Sequence, residues 1–107
     1  MEELRKEIFE IVEGILVFEP DFKDKIYAKA INLSEEKLYQ LKEILLDMID
    51  WQEEVIVRLV NQNPELYKKI LSERMQFEKD IMSVYKEKLV AEDRHKMQII
   101  LDKIQSL

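Results

Sequence analysis

The sequence predicts an all-α fold, a small bundle of four to five helices built on a long antiparallel helical hairpin. Two observations predict it. The 107 residues include one glycine and two prolines, although these are the residues on which most turns depend. Apolar side chains also recur at spacings of three and four along most of the chain, the period of an amphipathic helix. We therefore expect long helices and little or no strand.

The first two helices follow from apolar spacing and one proline. An amphipathic helix over residues 2–18 is predicted by Leu4, Ile8, Ile11, Val12, Ile15 and Leu16. Gly14 lies inside it and would permit a close helix crossing. Pro20 ends this helix, because proline disfavours helical geometry in the preceding residue. A short second helix that ends near Asn32 is indicated by Phe22, Ile26, Tyr27 and Ala30.

The hairpin is predicted over residues 34–62 and 64–90. Ser34 is a good N-cap, and Leu33 and Leu38 flank it as a hydrophobic staple. A heptad seam with one polar position then consists of Leu38, Leu41, Leu45, Met48, Gln52, Val55 and Leu59. Asn63 caps the fourth helix, with Pro64 in its first turn. After residue 90 the apolar face turns by about a third of a turn, so residues 91–96 form either a kink or a break before a fifth helix.

Length and composition indicate a single helical domain over residues 1–107. Apolar residues make up 47% of the chain, enough to fill a core. There is no cysteine, which excludes disulfides and thiolate chemistry. The longest stretch without a charged residue is six residues, 59–64, whereas a membrane span needs about 20 apolar residues. The N-terminus lacks a signal-peptide core, so we expect a cytoplasmic protein that contacts no membrane.

The charge argues against direct binding of nucleic acid. The net charge is −6, which repels phosphate backbones and anionic lipid. Residues 34–62 carry seven acids and three bases, a balance of −4, while residues 63–107 carry eight acids and nine bases, a balance of +1. Antiparallel helices with these charges attract each other weakly, which favours a pairing register more than it adds stability.

A polar layer is predicted inside the hairpin. If the two long helices fold back around residues 62 and 63, residue n lies level with residue 126 − n, which places Gln52 beside Arg74. Glu78 follows Arg74 by one helical turn, inside the same apolar stripe. We therefore expect Gln52, Arg74 and Glu78 to be buried together. Such a layer can recognise a polar group of a ligand or partner, or it can fix helix register.

The pair Glu92 and His95 is a metal candidate. Ferritin-like di-iron proteins combine a Glu-x-x-His pair with glutamates of facing helices, and Glu35 and Glu36 would lie opposite if the fourth helix continued straight. A single histidine supplies few ligands, so we expect no bound metal and no cofactor.

The hairpin also resembles the encapsulated-ferritin family over about 30 residues. The shared features are Asp50-Trp51, then Pro64-Glu65-Leu66, then Glu78-Lys79. The resemblance implies a carboxylate metal site on the hairpin. The chain departs from the family at Ile81, where the family has its metal-binding histidine.

Nothing in the sequence favours an enzyme. No serine lies near His95 in the sequence, and no glycine-rich loop is present to hold a phosphate. Leu46, Val57 and Val60 lie outside the main seam of the third helix, so we expect them to be exposed and to form an interface. The expected function is a protein–protein interaction or assembly module that self-associates as a homo-oligomer or joins a larger complex through a protein partner.

Two alternative functions stay open at this point. The first is an acidic inhibitor or antitoxin-like protein that occupies a basic site on a nucleic-acid enzyme, with the acidic third helix as its working face. The second is a ferritin-like carboxylate metal-binding protein.

Overall fold

The all-α bundle predicted from the sequence is confirmed by the structure, a computed structural model. It describes the backbone of residues 2–62, 64–87, 89 and 91–107, and the side chains of these residues except 64, 66, 67, 69–75 and 77. This part of the chain contains no strand. Its helices are α1 (Glu2–Glu13), α2 (Pro20–Asn32), α3 (Glu35–Gln62), α4 (Pro64–Glu87) and α5 (Ala91–Gln105). In the same part, no helix is both long enough and apolar enough to cross a membrane.

Helix α3 is the centre of the bundle and packs against α1, α4 and α5. It begins after Ser34, whose Oγ accepts a hydrogen bond from the Lys37 backbone N–H at 3.4 Å, as expected of an N-cap. Leu33 and Leu38 are both buried beside this cap. The predicted heptad seam faces the core, since its first six residues are buried and Leu59 is half-buried. The Asn63 cap lies outside the described residues.

Helix α1 is shorter than predicted, because it ends at Glu13 and not near residue 18. The next residues are apolar without interruption, and Ile15, Val17 and Phe18 are all buried. Consecutive residues of a helix are 100° apart and cannot all face one core. Turns after Gly14 allow this burial, with hydrogen bonds from Ile15 N to the Val12 carbonyl and from Phe18 N to the Ile15 carbonyl.

Helices α4 and α5 are separate, so of the two alternatives the break before a fifth helix is observed, but it precedes residue 91, and residues 91–96 are the first turns of α5. Helix α4 ends at Glu87, Leu89 lies outside any helix, and α5 begins at Ala91. Helix α5 then runs antiparallel to α3. Asp93, in the first turn of α5, accepts a hydrogen bond from Arg58 near the C-terminal end of α3. The Leu107 carbonyl, just beyond the last turn of α5, accepts one at 3.2 Å from Lys37 Nζ near the N-terminal end of α3.

The register of α4 on α3 differs from the expected one. The rings of Trp51 and Tyr85 meet edge to face, with centroids 6.2 Å apart. The relation expected from the turn, with residue n level with residue 126 − n, places residue 75 level with Trp51. The observed contact of Trp51 is with Tyr85, ten residues further along α4. Counting from a turn assumes equal rise on both helices and side chains that point straight across, and this assumption fails at this level of the bundle.

Candidate functional site

Gln52 is buried in the core, and its side chain bonds to backbone groups just after the end of α1. Its side chain is 3% exposed. Its Oε1 accepts a hydrogen bond from the Leu16 backbone N–H at 2.8 Å, and its Nε2 donates to the Gly14 carbonyl at 3.0 Å. Gln52 therefore satisfies two backbone groups that the early end of α1 leaves without helical partners.

The structure describes the side chain of one of the other two members of the expected polar layer. Glu78 is half-buried on α4, and the side chain of Arg74 lies outside the described residues. The hydrogen bonds observed for Gln52 anchor the connection between α1 and α2, which is a structural use of this side chain.

A second polar junction joins α3, α4 and α5. Asp93 is 8% exposed, and its Oδ2 accepts hydrogen bonds from Arg58 Nη2, at 3.2 Å, and from the Tyr85 hydroxyl. Burial raises the pKa of the Tyr85 phenol, and the hydrogen bond to the Asp93 carboxylate raises it further. The phenol therefore stays protonated at neutral pH and acts as a donor.

The sequence gives little signal for this junction. Asp93 lies in the first turn of α5, where acids are favoured by the helix dipole and are normally exposed. Arg58 lies on the outer side of α3, and its side chain is half exposed. A small cavity beside the junction is lined by Trp51, Glu54, Val55, Arg58, Asp93 and Lys96. Because the Asp93 carboxylate bonds to Arg58 of α3 and Tyr85 of α4, the junction fastens three helices together.

The candidate metal ligands Glu92 and His95 do not belong to a ligand cluster among the described residues. Glu92 and His95 are both exposed on α5, and no group of three or more carboxylate or imidazole side chains in the described part of the chain could hold an ion. Glu35 and Glu36 would lie opposite this pair only if the fourth helix continued straight, but α4 ends at Glu87 and α5 begins at Ala91. The bond between Asp93 and Arg58 places this end of α5 23 residues along α3 from Glu35, about 34 Å away.

The three interface candidates separate in the structure. Leu46 and Val57 are 42% and 56% exposed, as expected, whereas Val60 is 8% exposed. The prediction for Val60 is wrong because the inner face of α3 is broad. Val60 follows the buried Ile56 by one helical turn, and it faces the core with it.

The outer side of α3 carries a second heptad seam, which we call the outer stripe. Its six residues follow one another in steps of four and three, and all are exposed: Tyr39, Glu43, Leu46, Asp50, Glu53 and Val57. At 100° per residue they stay within about 40° of one line along the helix. Tyr39, which is 52% exposed, was missed by the sequence reasoning, although its spacing of seven from Leu46 was a signal for it.

The outer stripe continues into an open groove at the C-terminal end of α3. The groove is lined by Glu53, Glu54, Val57, Arg58, Asn61 and Gln62. Most of its accessible surface is apolar although five of these side chains are polar. The other large exposed apolar side chains, Ile31, Val84 and Ile99, lie on three different helices. The outer stripe is thus the one place in the described chain where such side chains align on a single helix.

No protein-family model, curated protein or solved structure matches the chain.

Proposed function

We propose that this protein is an interaction module that joins a larger assembly through the outer stripe of α3. The observation that carries the proposal is the alignment of Tyr39, Leu46 and Val57, each 42–56% exposed, along one side of a single helix. Aligned exposed apolar side chains with a polar rim are typical of interaction surfaces, whereas scattered ones are ordinary.

The energy available from these side chains fits a binding hot spot. Full burial of one large apolar side chain contributes about 1.5–3 kcal/mol. Covering the exposed halves of three such side chains therefore contributes on the order of 2–4 kcal/mol. That amount anchors an interface, and the polar groups around it then set specificity.

Helix α3 is also well suited to present such a surface. It has 28 residues, a length of about 42 Å, and its inner face is fixed by α1, α4 and α5. A surface that is already rigid loses little conformational entropy when a partner binds, so more of the contact energy appears as affinity.

The test is the native mass of the protein isolated under mild conditions from its own cells. We expect the tagged wild-type chain to migrate well above its monomer mass of 13.0 kDa, and we expect the double variant Leu46→Ser/Val57→Ser to lose the heavier species. The control is Val84→Ser/Ile99→Ser, which removes two side chains of similar exposure from α4 and α5.

The proposal is supported if the heavier species disappears with the α3 variant and persists with the control. It is overturned if the wild-type chain migrates as a monomer, or if both double variants have the same effect while circular dichroism shows that both remain folded.

A further inference from the structure

We infer that the outer stripe binds a basic amphipathic helix of a different protein. The inference rests on the proposed function and specifies the partner. It follows from two properties of the stripe, the spacing of its apolar side chains and the charge between them.

The spacing matches a helix. Leu46 follows Tyr39 by seven residues and Val57 follows Leu46 by eleven, which are distances of about 10.5 and 16.5 Å along the axis. A partner helix that packs along α3 at a shallow angle meets side chains at the same spacing, as in coiled coils. We therefore expect apolar residues in the partner at intervals of seven and eleven, in either direction.

The charge requires a cationic partner. Asp50 lies between Leu46 and Val57, and Asp50 makes no hydrogen bond or ion pair with any residue that the structure describes. A helix that covers the two apolar neighbours also removes water from this carboxylate. Such desolvation is unfavourable unless a cation compensates it, so the partner needs a Lys or Arg opposite Asp50. Glu43, two steps earlier on the stripe, makes the same demand.

A second copy of this chain does not meet that demand in the two antiparallel registers that pair Val57 with Leu46 or with Tyr39. In an antiparallel pairing, the numbers of facing residues have a constant sum. A pairing that sets Leu46 against Val57 of the second copy has the sum 103, and it therefore also sets Asp50 against Glu53 of the second copy. A pairing that sets Tyr39 against Val57 has the sum 96. It brings Glu43 against Glu53 of the second copy and Leu46 against Asp50 of the second copy. Each register opposes like charges or buries a carboxylate on leucine, which disfavours self-association through this stripe.

The experiment is site-specific photocrosslinking in the cells that make the protein, followed by mass spectrometry of the crosslinked peptide. The photoreactive residue replaces Leu46 in one chain and Val84 in the control chain. We expect crosslinking at position 46 to a segment of another protein that has a net positive charge and the apolar intervals given above.

A charge reversal tests the role of Asp50 in the same assay. We expect Asp50→Lys to lower the crosslinking yield at position 46 at least tenfold, while Asp24→Lys, on the exposed side of α2, leaves it unchanged. An unchanged yield with Asp50→Lys overturns the inference.

The identity of the crosslinked peptide separates the inference from the proposed function. A peptide from a second copy of this chain, or from a neutral or acidic segment, overturns the basic-helix inference and leaves the interaction module standing. Crosslinking at position 46 that is no stronger than at position 84 overturns both.

Discussion

The side-chain amide of Gln52 donates a hydrogen bond to the Gly14 carbonyl across 3.0 Å, which ties the middle of α3 to the point where α1 ends. The same side chain also receives the Leu16 N–H. These bonds allow the chain to leave helical geometry inside the core, because the Gly14 carbonyl and the Leu16 N–H each have a hydrogen-bond partner on α3.

Replacement of Gln52 tests this anchor. We expect Gln52→Leu to lower the free energy of unfolding by about 2 kcal/mol, since it leaves two buried backbone groups unpaired. The measurement is urea denaturation followed by circular dichroism. Gln40→Leu, at an exposed position of the same helix, is the control and should change the free energy by less than about 0.5 kcal/mol. Equal effects of the two variants would show that the anchor contributes nothing.

The junction at Asp93 should govern the attachment of α5. We expect Asp93→Ala to cost about 2 kcal/mol of unfolding free energy, because the buried Tyr85 hydroxyl loses its acceptor. Hydrogen exchange should accelerate throughout residues 91–105 more than in α1. Asp102→Ala, which removes an exposed acid from the same helix, is the control. Exchange that is equally fast in both variants contradicts a fastening role for Asp93.

Alkaline pH should destabilise the fold through Tyr85. Burial and the Asp93 hydrogen bond raise the pKa of this phenol above its usual value of 10.0. Above pH 10 the unfolded chain has released a proton that the folded protein keeps, so stability falls as pH rises. The stabilisation from neutral Tyr85 is complete below pH 10. Burial and a hydrogen bond to Glu13 raise the pKa of Tyr27 to about 12 and act in the same direction.

The variant Tyr85→Phe separates this contribution from the other titrations. We expect its urea midpoint to fall less than that of the wild-type protein between about pH 9 and about pH 11, because position 85 no longer titrates. Lysines and the other tyrosines titrate alike in both proteins. Parallel pH profiles would mean that Tyr85 titrates normally in the fold.

The rotation of α3 can be checked with two valines. Val60 is buried and Val57 is exposed, so we expect Val60→Ala to lower the unfolding free energy by about 2 kcal/mol, from lost apolar burial and the cavity that remains. Val57→Ala should change it by less than about 0.5 kcal/mol. The reverse order in a urea titration would place the wrong side of the helix in the core.

Helix spacing and caps were predictable because they depend on neighbours in sequence. The seam from Leu38 to Val55 and the Ser34 cap follow from residues at most four positions apart, and the structure confirms them. The end of α1 was not predictable in this way, because Gln52, 38 residues from Gly14, supplies the hydrogen bond that a continued helix would have made. Tertiary contacts of this kind override local helical preference.

The candidate site was likewise predictable only where it depends on neighbours in sequence. The exposure of Leu46 and Val57 follows from their positions behind a strong seam. The junction of Arg58, Tyr85 and Asp93 depends on how three helices meet, and the register expected from the turn is ten residues away from the observed contact of Trp51 with Tyr85. No short-range pattern encodes that geometry.

The most direct test of the α3 surface is thiol labelling, because the chain has no cysteine of its own. Val57→Cys places one thiol on the outer stripe, and Val84→Cys places one at a position of nearly equal exposure on α4. Maleimide labelling rates are measured for each variant as purified protein and in a native extract of the cells that make it. We expect position 57 to react at least tenfold more slowly in the extract, because a bound partner covers it, and position 84 to react at the same rate in both. Equal rates at position 57 in the extract and in the purified protein would contradict the assignment of this surface to binding.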